Sequence, residues 1–129
     1  MRSEFNAKEE HSVRAVLKSF RPAIRGILTS SAIGRNIKVH YIAAVAAIIG
    51  GLYFDITKME FLILLVVIMQ VICLEMVNTA IEKTVDLVTD DYHIYAKIAK
   101  DVAAGAVLMA AIFSVIIGGI IFFPYLLKL

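Results

Sequence analysis

Glu75, Asn78, Glu82 and Asp86 place three carboxylates and an amide in a stretch that otherwise has the composition of a membrane-spanning helix. At about 100° per residue, Glu82 and Asp86 project within about 20° of Glu75, and Asn78 lies about 60° to one side. The four form one polar stripe on an apolar cylinder. A rise of about 1.5 Å per residue puts Glu82 about 10 Å and Asp86 about 16 Å along the axis from Glu75. Ionisable groups at membrane depth cost a few kcal/mol or more each, so they face a bundle interior, a partner or a cavity.

The residue types suggest three uses. A carboxylate set among apolar residues can act as a general base. A second one nearer water can hold Mg²⁺, which takes one or two carboxylates plus substrate phosphates. Basic residues at the same edge can hold a polyphosphate. Together these suit phosphoryl transfer from a soluble donor to a lipid alcohol. The same stripe would also serve as hydrogen bonds and ion pairs that orient an oligomer, or as the proton carrier of a small proton-coupled transporter with Glu75 at its centre. No G-x-x-x-x-G-K-[ST] loop and no H-R-D or D-F-G set occurs, so neither common nucleotide-binding class applies.

The elements that position the stripe follow from pattern. The chain has 129 residues, 60% of them hydrophobic, against about 45–50% in soluble domains, which marks a single-domain integral membrane protein. Residues 1–33 form a surface-helix region. Its first twelve residues are polar and read as frayed. Val13, Leu17, Phe20, Ile24 and Ile27 then recur at helical spacing, with Arg14, Lys18, Arg21 and Arg25 one residue behind. This is an amphipathic helix with a basic edge, suited to an anionic membrane surface, where Lys18 or Arg14 could also reach a phosphate. Pro22 should kink or interrupt it, and Ser30, Ser31 and Gly34 should end it. Membrane helices are expected over 35–54, 60–88 and 96–127. His40 and Lys38 reach the interface from the first. Ala103–Ala106 and Gly118–Gly119 allow close helix packing in the third. Cys73, the single cysteine, reads as a buried inert thiol. With the N-terminus and the 89–93 loop in the cytoplasm, eleven of the thirteen Lys and Arg lie inside, which favours N-in, C-out. Glu82, Asp86, Lys100, Asp101, Arg35 and Lys38 then gather at the cytoplasmic edge, with Glu75 deeper.

The run Leu74-Glu75-Met-Val-Asn78-Thr79-Ala80-Ile81-Glu82-x-x-x-Asp86, followed by Ala99-Lys100-Asp101-x-Ala-Ala-Gly-Ala-Val, resembles the prokaryotic diacylglycerol kinase family. Arg35-Asn36-x-x-x-His40 and the Phe123-Pro124 ending resemble its Gram-positive branch, which prefers undecaprenol. The resemblance runs ungapped from about Lys18 to the C-terminus. It implies an ATP- and Mg²⁺-dependent kinase of a membrane lipid alcohol in the bacterial cell membrane, undecaprenol first and diacylglycerol second. It implies a homotrimer of three-span chains, with active sites between neighbouring subunits. By position, Glu75 matches the general base facing the lipid hydroxyl, and Glu82 a metal-binding glutamate. Asn78, Lys100 and Asp101 match residues around the phosphates and the base. Asp91, Tyr92 and His93 match a loop near the nucleotide, and Lys18 a basic position of the N-terminal helix.

Two departures stand out. The family's second metal-binding glutamate is Gly34 here, with no acid between His11 and Asp55 to replace it. Its N-terminal arginine is Ala15, with Arg14 about 100° round the helix. A weakened or non-catalytic relative is therefore a further reading. Asp86 is open between a role in the site and a structural ion pair.

Overall fold

The computed structural model describes residues 2–34, 36–89 and 91–128, except for the side chains of residues 2–14 and 17. Four helices follow one another, α1 (Arg2–Ile33), α2 (Ile37–Tyr53), α3 (Lys58–Val88) and α4 (Ile94–Leu126), and no strand occurs among the described residues. The chain divides into two compact units, Met1–Ile33 and Gly34–Leu129.

The first unit is α1 alone. It departs from expectation at two points. Residues 2–12 are helical rather than frayed, and Ser30 and Ser31 remain helical, while Pro22 lies inside the helix without interrupting it. Both serine hydroxyls donate to the Ile27 carbonyl, at 2.9 and 2.8 Å, which satisfies them within the helix. The basic edge is as read, with Lys18, Arg21 and Arg25 exposed. The side chain of Arg14 lies outside the described residues.

In the second unit α3 packs along α4 and α2 packs on α3. α3 and α4 are each long and apolar enough to cross a membrane. At 17 residues α2 measures about 25 Å, shorter than the ~30 Å hydrocarbon core. The α2–α3 turn is built closely. α2 ends in a Schellman pattern, with Ile56 N–H donating to the Gly51 carbonyl at 3.2 Å and Asp55 N–H to Leu52 at 3.4 Å. Asp55 takes the left-handed conformation (φ 49°) that glycine usually fills there. Gly51 lies so close to Ile56 and Phe61 that a Cβ would stand 3.1 Å from the Ile56 Cδ1 atom. Thr57 then caps α3. Its hydroxyl accepts from Glu60 N–H, while its own N–H donates to the Glu60 carboxylate at 2.8 Å. The Tyr125 hydroxyl donates to the same Glu60 oxygen at 2.8 Å, tying the end of α4 to the start of α3. Ile56, Leu64 and Ile121 form the core beneath this clasp.

Two packing expectations are corrected. Among the described residues no neighbour outside the helix's own backbone comes within 4 Å of a Cβ built on Gly105, Gly118 or Gly119, so within one chain these glycines do not bring helices together, whereas Gly50 and Gly51 do; Ala103 is buried. Cys73 is exposed rather than buried, because it sits on an α3 face that α2 and α4 leave uncovered. Only 22% of the apolar window of α3 and 11% of that of α4 is buried, so lipid or other copies must cover the rest.

Candidate active site

The α3 stripe falls as its spacing predicts, from buried to exposed. Glu75 is 2% exposed and Asn78 6%. Glu82 is half-buried, and Asp86 is exposed at the helix end. Glu75 Oε1 accepts a hydrogen bond from the backbone N–H of Asn36 at 3.3 Å. Asn36 caps the N-terminus of α2. The carboxylate therefore meets the positive end of a helix dipole, a favourable place for an anion. This partner is a main-chain group in the segment just before α2, two residues after Gly34, and no side-chain pattern announces it. Thr79, one turn on from Glu75, is satisfied locally by donating to the Glu75 carbonyl at 2.9 Å.

Asn78 Nδ2 donates to Glu82 Oε1 at 3.2 Å, while Asn78 Oδ1 is buried with no hydrogen-bond partner among the described residues. A buried acceptor left open costs about 1–3 kcal/mol. Glu75, Asn78, Thr79 and Glu82 line a cavity of about 310 Å³ together with Asn36, His40 of α2 and apolar residues of α4. Gly34 is buried and contributes no carboxylate. Among the described residues no group of three or more His, Cys, Asp or Glu could hold a metal.

The remaining expected residues gather elsewhere. Asp86, Asp91, Tyr92, His93, Lys100 and Asp101 line a second cavity, about 420 Å³, at the α3–α4 connection. Lys100 Nζ is 2.6 Å from Asp86 Oδ1, and Lys83 is 3.6 Å from the other oxygen, so Asp86 is ion-paired. Asp101 is paired with Lys97 at 2.6 Å. His93 caps α4, its Nδ1 accepting from Tyr95 N–H at 3.3 Å, and Tyr92 projects outward. Within one chain Asn78 lines the Glu75 cavity, while Lys100 and Asp101 do not. Glu75, Asn78 and Glu82 share one cavity, and Lys100 with Asp101 and the loop residues share another. Helix geometry explains the split, since Lys100 and Asp101 lie in the first two turns of α4, beside the last turn of α3. Lys18 is exposed on α1.

Two helices able to cross a membrane, with a buried carboxylate facing a cavity in one of them, mark a helical membrane protein. The chain belongs to the prokaryotic diacylglycerol kinase family, whose model matches residues 21–122. It is 47% identical over 109 residues to the undecaprenol kinase of Bacillus subtilis, covering 84% of this chain and 89% of that one. It is 44% identical over 115 residues to a diacylglycerol kinase of Synechocystis, covering 88% of this chain and 66% of that one. To the diacylglycerol kinase of Escherichia coli K12 it is 33% identical over 75 residues, covering 58% of this chain and 62% of that one. These relatives place the chain among the lipid kinases.

Proposed function

We propose that this protein transfers the γ-phosphoryl group of ATP to the hydroxyl of a membrane lipid alcohol, undecaprenol in the first place. The observation that carries the reading is the cavity holding Glu75, almost wholly buried, beside Asn78 and Glu82. Glu75 takes the proton of the acceptor hydroxyl. The hydroxyl oxygen bonds to the γ-phosphorus as the bond to the β–γ bridging oxygen breaks, and ADP leaves. The Asn36 amide and the α2 terminus hold Glu75 in place.

Glu82, a hard oxygen donor of the kind Mg²⁺ prefers, would hold that ion together with the substrate phosphates. Mg²⁺, when bound, offsets charge on the phosphates. Lys100 steadies the transferring group, and Asp101 and the Asp91–His93 loop serve the nucleotide. Because those residues line a different cavity, the working site joins the Glu75 cavity of one copy to the Lys100 cavity of its neighbour in a trimer. Lys18 and Arg14 add positive charge from the membrane-surface helix. α2, α3 and α4 span the bacterial membrane, with the N-terminus and the site on the cytoplasmic side.

Two alternatives rest on specific observations. The Synechocystis relative's name favours diacylglycerol as acceptor. Gly34, which supplies no carboxylate two residues from the amide that holds Glu75, favours a weakened enzyme. The test is ATP- and Mg²⁺-dependent phosphorylation of undecaprenol and diacylglycerol in mixed micelles, for this chain and for Gly34→Glu. Activity that rises at least tenfold in Gly34→Glu identifies the missing metal ligand. Equal activity in both shows that Glu82 suffices. A folded oligomer inert in both forms would overturn the kinase reading and leave transport driven by a pH gradient as the next experiment.

A further inference from the structure

A third cavity, lined by α2, α3 and α4 and about 380 Å³ in volume, adjoins the carboxylate cavity, and His40 and Ala111 line both. Its walls are hydrocarbon, with Ala44, Leu64, Val67 and Phe122 prominent among them. Among the described residues, only two side chains on it carry hydrogen-bonding groups, His40 and Ser114. The Ser114 hydroxyl has its single proton committed, donating to the Ala110 carbonyl at 2.8 Å and lying 3.4 Å from that of Val67. The half-buried imidazole of His40 is therefore the one free side-chain donor that the described residues place on this surface, and it stands where polar cavity meets apolar cavity.

Resting on the reading of Glu75 as the base of a lipid kinase, we propose that His40 is the residue that sorts the acceptor lipids. An acceptor with its hydroxyl at Glu75 runs its next atoms past His40 and its tail along the apolar cavity. In a prenol those atoms are hydrocarbon and need no partner. In a diacylglycerol they carry two ester carbonyls, which lose water on entry and find one donor, the His40 ring. A carbonyl left without a donor in such a place is penalised. The cavity thus prefers an alcohol carried directly on a hydrocarbon chain, and His40 sets how far a diacylglycerol is tolerated. His40 is a positioning residue and takes no part in proton transfer.

The test compares kcat/KM for undecaprenol and dioleoylglycerol in this chain, His40→Leu and His40→Gln. The expected result is a fall for dioleoylglycerol about tenfold greater than for undecaprenol in His40→Leu, carried mainly by KM. His40→Gln, which keeps a donor, should restore most of the ratio. Equal losses on both lipids, no change in either, or a larger loss on undecaprenol would overturn the proposal. A second readout needs no turnover: the purified oligomer is loaded with both lipids, and the retained amounts are measured by mass spectrometry. If the unmodified chain phosphorylates neither lipid, the kinase reading falls. His40 is then judged by retention alone, which supports it if His40→Leu lowers the dioleoylglycerol share and overturns it if the share is unchanged.

Discussion

Glu75 is held by a main-chain amide, so a neutral side chain of the same shape can keep its place. Glu75→Gln should retain the helical content and oligomer size of the parent and lose at least a thousandfold in lipid phosphorylation, the scale of removing a base together with its alignment. Undiminished turnover in that variant would remove Glu75 from the proposed role. The burial of this residue was legible in the sequence, because period and hydropathy alone put it on an inward stripe deep in an apolar helix. Its partner was not, since the Asn36 amide reaches it only once the segment before α2 has folded over α3. The Asp86–Lys100 pair lies between the two, because the sequence supplied both charges but could not say which cation Asp86 would choose.

The helices themselves were largely written in the pattern, with α2, α3 and α4 starting and ending within two residues of expectation. α1 was read less well. Polar composition suggested fraying and Pro22 a kink or interruption, but helix formation tolerates one lost bond and local serine back-bonding closes the last turn. The α2–α3 turn carries two predictions. Tyr125→Phe removes the hydroxyl that ties α4 to Glu60 and should lower the thermal unfolding midpoint in detergent by a few degrees, leaving helix content unchanged. Asp55→Gly relieves a left-handed residue and should stabilise the protein by up to about 1 kcal/mol. An unchanged midpoint in the first, or a lowered one in the second, would show that the clasp or the turn is not under the constraint described. Neither the Thr57–Glu60 cap nor the approach of Tyr125 across 65 residues was read from the sequence.

At the scale of the whole molecule, a single chain leaves much apolar surface uncovered and divides the expected site residues between two cavities. Association of copies would answer both at once. Cross-linking in native membranes should give a ladder ending at three. A population that stops at one, with activity intact, would mean that one chain completes the site alone. Membrane character was legible from composition and the family from paired motifs, whereas the division into two cavities depends on how α3 and α4 align and so needed coordinates.

The exposed Cys73 would give such an association a built-in ruler. It is the chain's one thiol, two residues from Glu75 and turned away from the site that Glu75 faces. A nitroxide spin label attached there would give one paramagnetic centre per copy, with no engineered cysteine and no native one to remove. In a threefold assembly its dipolar spectrum collapses to a single separation, and the modulation depth counts the spins. The same label would register any movement of α3 when nucleotide or lipid enters.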